Sequence, residues 1–395
     1  MKLIKNFVAL DLRYLEKANT GLARFSLNIS KYLINEKENK KLKYIVILPP
    51  EKFCNHLKDY IKEIKNNSEI IYWDQKRLLR WKFPFFIIDA KLYYFLLKRK
   101  IGVFFCPYID PPLLPGINVI STIHDTTPID VKDYFQNLKF FKRSLYAIRL
   151  LLTLYTSSIV LTVSNSSKER LISIYSKQFL KLKSKLKNIK VIPNGVYLNS
   201  SKKDNFGHKI LEKYNLQNEN YFLYVGDRRP HKNIELVINL INNYNKKFNK
   251  NFKLILAGSN SYKNFKLLSI IKNHKSFVKE IVNPTDLELD YLYQECVALC
   301  FLSLSEGFGI PILEAALRGK KIIANKIPIF KEIAPPHSLL IDTQDFQKNL
   351  YEINAYLNSK CFPSKKYVEK NWSWENSASL LSKIFLTIII SSENY

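Results

Sequence analysis

Short strand-like runs alternate with helical patterns along this chain, and that alternation leaves few architectures open. The runs are Phe7–Leu10, Tyr44–Leu48, Val103–Cys106, Val119–Ile123, Ile159–Val163 and Ile189–Ile192, then Phe222–Val225, Phe252–Ala257, Val297–Leu302 and Lys321–Ala324. Short apolar runs separated by helices read as α/β structure with parallel sheets, because a parallel pair needs a crossover and a helix is the usual one. At 395 residues the chain is too long for one ordinary core, so two such sheets are expected, one per half. The stretch Ser200–Asn220 is polar and lysine-rich and places the boundary near residue 203. In open parallel sheets ligands bind beyond the carboxyl ends of the strands. A cleft between two facing domains is therefore expected.

The most pointed local pattern follows the run Val297–Leu304. It is Ser305-Glu306-Gly307-Phe308-Gly309-Ile310-Pro311-Ile312-Leu313-Glu314, with Ile310, Leu313 and Leu317 recurring at helical spacing. Glu306 then sits in the loop leaving a strand, and Glu314 lies inside the helix that follows. Gly307 and Gly309 let backbone amides approach a ligand closely, at the helix end where the dipole favours an anion. A carboxylate on each side of an anion cradle suits a molecule with phosphate in its middle and hydroxyls at both ends. A nucleotide sugar is such a molecule.

Further motifs occupy other strand ends. Gly226-Asp227-Arg228-Arg229-Pro230-His231-Lys232-Asn233 brings cations to the end of Phe222–Val225, where Arg228 or Arg229 and Lys232 would neutralise a diphosphate. Thr20-Gly21-Leu22-Ala23-Arg24 opens an early helix, either as a plain cap or as a second backbone approach to the same phosphates. His124 and Asp125 end another strand and lead into Thr126-Thr127-Pro128. Thr162-Val163-Ser164-Asn165 and Ile192-Pro193-Asn194-Gly195-Val196 repeat the pattern with residues that caps and turns also use.

Together these motifs resemble the retaining glycosyltransferases of family 4, also called group 1, whose architecture is the two-Rossmann GT-B fold. The resemblance spans nearly the whole chain. It runs from Gly21 and Arg24, through His124-Asp125 and Ile192–Val196, to Gly226-x-Arg228-x-x-x-Lys232-Asn233 and the Glu306–Glu314 pair. It implies that Glu314 holds the ribose hydroxyls of the donor, while Glu306 and the Phe308–Gly309 backbone face the transferred sugar. Arg228 and Lys232 would hold the diphosphate, with Gly21 closing on it, and His124 would contact the sugar near the reacting carbon. Arg229 is a second candidate for the phosphate-binding arginine, although Arg228 matches the pattern better. Asp125 is a candidate nucleophile, but retention in this family is expected to need none. Trp372-Ser373-Trp374-Glu375 looks like the family's closing segment, which implies domains 1–203 (acceptor side), 204–375 (donor side) and a last helix over 376–395 crossing back.

The resemblance also implies a hexosyltransferase, with mannose from GDP-mannose as the first guess and UDP-sugars next. The acceptor would be a glycan, lipid-linked, in surface polysaccharide or lipopolysaccharide assembly. A synthase or phosphorylase acting on a soluble glucan, and a basic adaptor without catalysis, are the competing readings. No metal and no cofactor are expected, since basic side chains and helix amides would stabilise the leaving diphosphate.

A formal charge of +28 admits anionic small molecules, anionic membranes and nucleic acid as partners, or simply lysines solvating the surface. No nucleic-acid motif is present. Residues 72–105 interleave Trp73, Trp81, Phe85 and Tyr94 with Arg77, Arg80, Lys98 and Arg99, and residues 177–190 are lysine-rich. Either stretch could dock on an anionic leaflet, and ordinary core aromatics under a solvated face are the alternative. Lys5, Asp11 and Arg13 interrupt the early apolar residues, and five cysteines without zinc-like spacing fit a reducing compartment, so a cytoplasmic protein is expected.

Overall fold

The structure, a computed structural model, describes residues 6–15, 21–36, 41–74, 90–131, 134–135, 139–176, 183–197, 206–260, 262 and 264–393. The chain forms two units, each an α/β layer structure on a wholly parallel sheet. The first comprises residues 1–129, 140–195 and 372–395, and the second residues 130–139 and 196–371. The boundary expected near residue 203 lies outside the described residues.

Among the described residues, seven strands build the first sheet: β1 (Phe7–Asp11), β2 (Lys43–Leu48), β3 (Ser68–Tyr72), β4 (Ile101–Cys106), β5 (Asn118–Ile123), β6 (Ile159–Thr162) and β7 (Ile189–Val191). Their order across the sheet is β3-β2-β1-β4-β5-β6-β7. Val8, Ala9 and Leu10 are wholly buried, as are Val103, Phe104 and Phe105. Central strands covered on both faces must be apolar in succession rather than in alternation. That is why these runs stand out in the sequence.

The second sheet has β8 (Tyr221–Val225), β9 (Lys253–Gly258), β10 (Val278–Val282), β11 (Ala298–Phe301), β12 (Lys321–Asn325) and β13 (Leu339–Ile341), in the order β10-β9-β8-β11-β12-β13. Both sheets change winding direction beside their first strand, the kind of switch point where doubly wound sheets hold ligands at the carboxyl ends. Three strands, β3, β10 and β13, were not foreseen. All three are edge strands. Ser68 and Glu69 in β3, and Lys279 and Glu280 in β10, occupy positions that an edge leaves partly in water, so neither run reads as continuously apolar.

The last helix, Trp374–Glu393, packs within the first unit. Trp374 lies edge-on to Phe25 of the helix Gly21–Asn35 at 5.9 Å, and Phe385 packs against Phe105 of β4 at 5.7 Å. The Ser377 hydroxyl donates to the Pro193 carbonyl at 2.8 Å. This contact is tight enough to dictate a residue type. A Cβ on Gly195 would fall 2.3 Å from the Trp374 nitrogen and 2.6 Å from its Cγ. Gly195→Ala therefore pushes the start of the last helix off its seat. Overpacking of this kind costs about 1–3 kcal/mol, read as a lowered urea midpoint.

Candidate active site

In the second unit the site is built on one transverse row of the sheet. Tyr224 pairs with Leu256, and Leu256 pairs with Glu280, so β8, β9 and β10 end side by side. The turn after β8 folds Arg228 back over this row. Its Nη1 donates to the Gly226 carbonyl at 2.9 Å and its Nη2 to the Leu256 carbonyl at 2.8 Å. Its Nε faces Glu280 Oε1 at 3.2 Å, and the residue is only 3% exposed. The motif singles out Arg228 as the phosphate ligand. The geometry encloses this guanidinium and turns its donors onto the protein.

Arg229 is disposed differently. Its side chain is 42% exposed, lies 3.4 Å from Asp227 Oδ2, and donates to the Tyr134 hydroxyl at 2.9 Å. Two positions further on, His231 stacks on the Tyr134 ring with centroids 5.3 Å apart. Burial, aided by the adjacent Lys232 charge, pushes the His231 imidazole down to about 3, so it is neutral at ordinary pH.

Lys232 joins this loop to the next. Its Nζ donates to Glu306 Oε1 at 2.6 Å, with both side chains largely enclosed. Glu306 stands in the loop leaving β11, beside buried Gly307, Phe308 and Gly309. Gly309 has φ +111°, and a Cβ there would meet the Phe330 ring at 2.8 Å, so only glycine fits. From it the helix Ile310–Leu317 starts abruptly, with Pro311 in its first turn where no amide hydrogen is needed. Glu314 follows within that helix, its Oε2 accepting from the Tyr293 hydroxyl at 2.8 Å. Arg229, Lys232, Glu306, Gly307, Phe308, Gly309 and Glu314 thus share the carboxyl edge of one sheet, with a positive helix end among them.

The remaining candidates belong to the first unit. His124 follows β5, with Nε2 2.8 Å from the Pro107 carbonyl and its ring edge-on to Phe25 at 4.7 Å. A carbonyl can only accept, so Nε2 carries the proton and Nδ1 the lone pair. Burial lowers His124 to about 4. Asp125 Oδ1 accepts from the Thr127 amide at 2.7 Å and from the Thr127 hydroxyl, capping the turn Thr127–Asp130. That is a structural task, and it turns this oxygen toward its own backbone. Gly21 opens the helix Gly21–Asn35, with no atom within 4 Å of a Cβ placed on it. Ser164 caps the helix Asn165–Ser176 through the Ser167 amide at 3.0 Å.

Two aromatic residues of the site escape sequence reading. Tyr134 lies 95 positions from its partner Arg229, and Tyr293 lies 21 positions from Glu314. No motif spacing links either pair.

Two expectations follow. Arg228→Ala leaves the Gly226 and Leu256 carbonyls without their donor and the partly exposed Glu280 without its cation, and lowers stability by about 1–3 kcal/mol, whereas Arg229→Ala changes it by less than about 1 kcal/mol, in urea unfolding. The histidines set an acid limit. Their folded values lie below the ordinary 6.5, so the unfolded chain binds more protons as pH falls under 6.5. Stability is then intact above that pH and declines toward pH 4, by up to about 1.4 kcal/mol per unit for each histidine. Imidazole resonances that stay in the neutral form at pH 5.5 check the assignment.

The description "Glycosyl transferases group 1" matches residues 207–372. O-antigen chain mannosyltransferase B of Escherichia coli is 24% identical over 377 residues, covering 90% of this chain and 93% of its own. The serotype-specific mannosyltransferase WbdA of Escherichia coli is 32% identical over 141 residues, 34% of this chain and 17% of WbdA. Among solved structures, a glycosyltransferase of Rickettsia africae superposes with TM-score 0.69 at 17% identity, over 98% of this chain and 99% of that one. HepE of Anabaena, in complex with UDP and glucose, gives 0.67 at 16% identity, over 96% and 99%. These structures establish the shared GT-B fold, two Rossmann-like domains on parallel sheets. The match to the glycosyl transferases of group 1 thus falls on residues 207–372, the part of the chain that carries Arg229, Lys232, Glu306 and Glu314.

Proposed function

We propose that this protein transfers a hexose, mannose in the first instance, from a nucleotide diphosphate sugar to a glycan acceptor that is lipid-linked, in assembly of a surface polysaccharide of O-antigen type. The observation that carries the reading is the Lys232–Glu306 pair at 2.6 Å, set beside the Gly307–Gly309 turn and the amino end of a helix that bears Glu314. The names of the mannosyltransferases matched by this chain support the sugar and the acceptor class.

In this reading Glu314 accepts the ribose hydroxyls, and the diphosphate lies against Lys232, Arg229 and the helix end. As the bond from anomeric carbon to phosphate oxygen breaks, negative charge grows on the leaving diphosphate, where fixed cations and amides already stand. Losing one such preorganised donor costs about 10²–10³ in rate. The leaving oxygen takes the proton of the acceptor hydroxyl, and the new bond forms on the face just vacated, with retention. Glu306 is held by Lys232 and Asp125 by its own turn, which suits neither to serve as a nucleophile. Arg229 replaces Arg228 as the second phosphate contact, because Arg228 is enclosed by carbonyls. The neutral imidazole of His124 suits a hydrogen bond to a sugar hydroxyl rather than a cationic role.

We further propose peripheral binding at the inner face of the membrane. No helix among the described residues is long and apolar enough to cross a bilayer. Residues 75–89, which carry Arg77, Arg80 and Trp81 of the aromatic and basic stretch, lie outside the described residues, as do Lys177 and Lys181 of the lysine-rich one. Within the described part Tyr94 is 68% exposed, and Arg99 is paired with Glu69 at 2.7 Å.

The deciding experiment titrates GDP, GDP-mannose, UDP and UDP-sugars and follows melting. The correct donor at about 100 times its dissociation constant adds about 2.7 kcal/mol of stability. Arg229→Ala should weaken the diphosphate more than the nucleoside, by about 10-fold or more, consistent with one lost charged hydrogen bond. EDTA should leave turnover unchanged, and NMR of the product should show the donor's anomeric configuration. Inverted product, or no nucleotide bound, overturns the proposal.

A further inference from the structure

Behind Glu314 lies a buried network that the reaction as described does not use. Tyr293 and Asp290 of the helix Asp286–Glu295 reach Glu314 of the helix Ile310–Leu317 and its capping residue Arg318. Tyr293 is 1% exposed and donates its hydroxyl to Glu314 Oε2 at 2.8 Å. Arg318, just past the end of the Glu314 helix, lies over the Tyr293 ring at 5.1 Å and donates Nη1 to the Glu314 carbonyl at 2.8 Å. Its Nε meets Asp290 Oδ1 at 2.7 Å, and Nη2 reaches the same oxygen. Asp290 is 2% exposed, and its other oxygen accepts from Gln294 at 2.6 Å.

Each member constrains the next. A buried carboxylate and guanidinium persist only when they are mutually paired, which holds Arg318 in one place. Arg318 then fixes both the Tyr293 ring from its face and the backbone of Glu314 from its carbonyl. The tyrosine hydroxyl fixes one carboxylate oxygen. A glutamate side chain has three rotatable bonds and loses entropy on binding unless it is already ordered.

We propose that Tyr293, held by the Arg318–Asp290 pair, is the positioning residue that orients the Glu314 carboxylate for the ribose, and so sets the site's preference for ribonucleotides over deoxyribonucleotides. The inference rests on the ribose reading of Glu314 given above. It requires that removing the tyrosine hydroxyl alone costs ribose recognition, with packing intact.

The test compares GDP and UDP with their 2′-deoxy forms by calorimetry, in the full chain and in Tyr293→Phe, Arg318→Lys and Glu314→Gln. Tyr293→Phe removes one oxygen and keeps the ring under Arg318. It should shrink the ribose preference by about 3–10-fold, a fraction of the 10-fold or more that one charged hydrogen bond supplies, and weaken the 2′-deoxynucleotide, which keeps its 3′-hydroxyl, by less than the ribonucleotide. Arg318→Lys, which keeps charge but loses the fork, should shift the preference in the same direction. A purely structural role for Tyr293 would lower the melting temperature and weaken both nucleotide forms alike, which overturns the proposal. If Glu314→Gln abolishes the preference while Tyr293→Phe keeps it whole, the positioning role alone fails. If Glu314→Gln keeps the preference, the ribose reading fails and takes this proposal with it.

Discussion

The second unit depends on one guanidinium. Arg228 bonds the carbonyls of Gly226 and Leu256 and faces Glu280, so it binds the carboxyl ends of β8, β9 and β10 together at a single transverse row. Parallel strands end in carbonyls that the sheet does not always satisfy, and a buried arginine offers five donors in a rigid fork. The arrangement has a directional consequence. With Arg228 folded inward, Arg229 leaves the turn on the other side, half exposed beside Tyr134. The loop that carries Lys232 then emerges in one pose, and its ion pair to Glu306 fastens the turn after β8 to the turn after β11.

The cations of this edge already have partners. Arg229 faces Asp227 and Tyr134, and Lys232 faces Glu306. In the proposed reading, an arriving diphosphate exchanges partners with Arg229 and Lys232 instead of meeting bare charge. Such exchange keeps the ligand-free site from paying for isolated buried ions. It also keeps the donors oriented before the ligand enters, which is the condition for strong electrostatic stabilisation of a developing charge. A formal charge of +28 alone would not produce this arrangement, because scattered surface lysines are screened over about 8–10 Å at ordinary salt.

The fold was legible wherever burial is two-sided. Central strands such as Val103–Cys106 are buried at every position and read as unbroken apolar runs. The three strands that escaped notice, Ser68–Tyr72, Val278–Val282 and Leu339–Ile341, sit at sheet edges; polar residues intrude in the first two, and the third is only three residues long. The glycine-rich turn and its two glutamates were legible for a related reason. Gly309 at φ +111° tolerates no other residue, and Pro311 suits the first turn of the helix that begins there, where no amide hydrogen is needed.

What the sequence determined by itself is the set of local commitments: which runs become central strands, where each strand hands over to a helix, and which polar residues stand at those junctions. Hydrophobic period, glycine and proline act within a few residues, so these can be read in order along the chain. Only the tertiary structure decided what each junction residue does. Arg228 and Arg229 are neighbours of equal charge, and the strand row beneath them sends one inward and the other outward. Tyr134 and Tyr293 join the site across 95 and 21 residues of chain, because contacts between packed elements obey three-dimensional proximity and leave no periodic trace in the sequence.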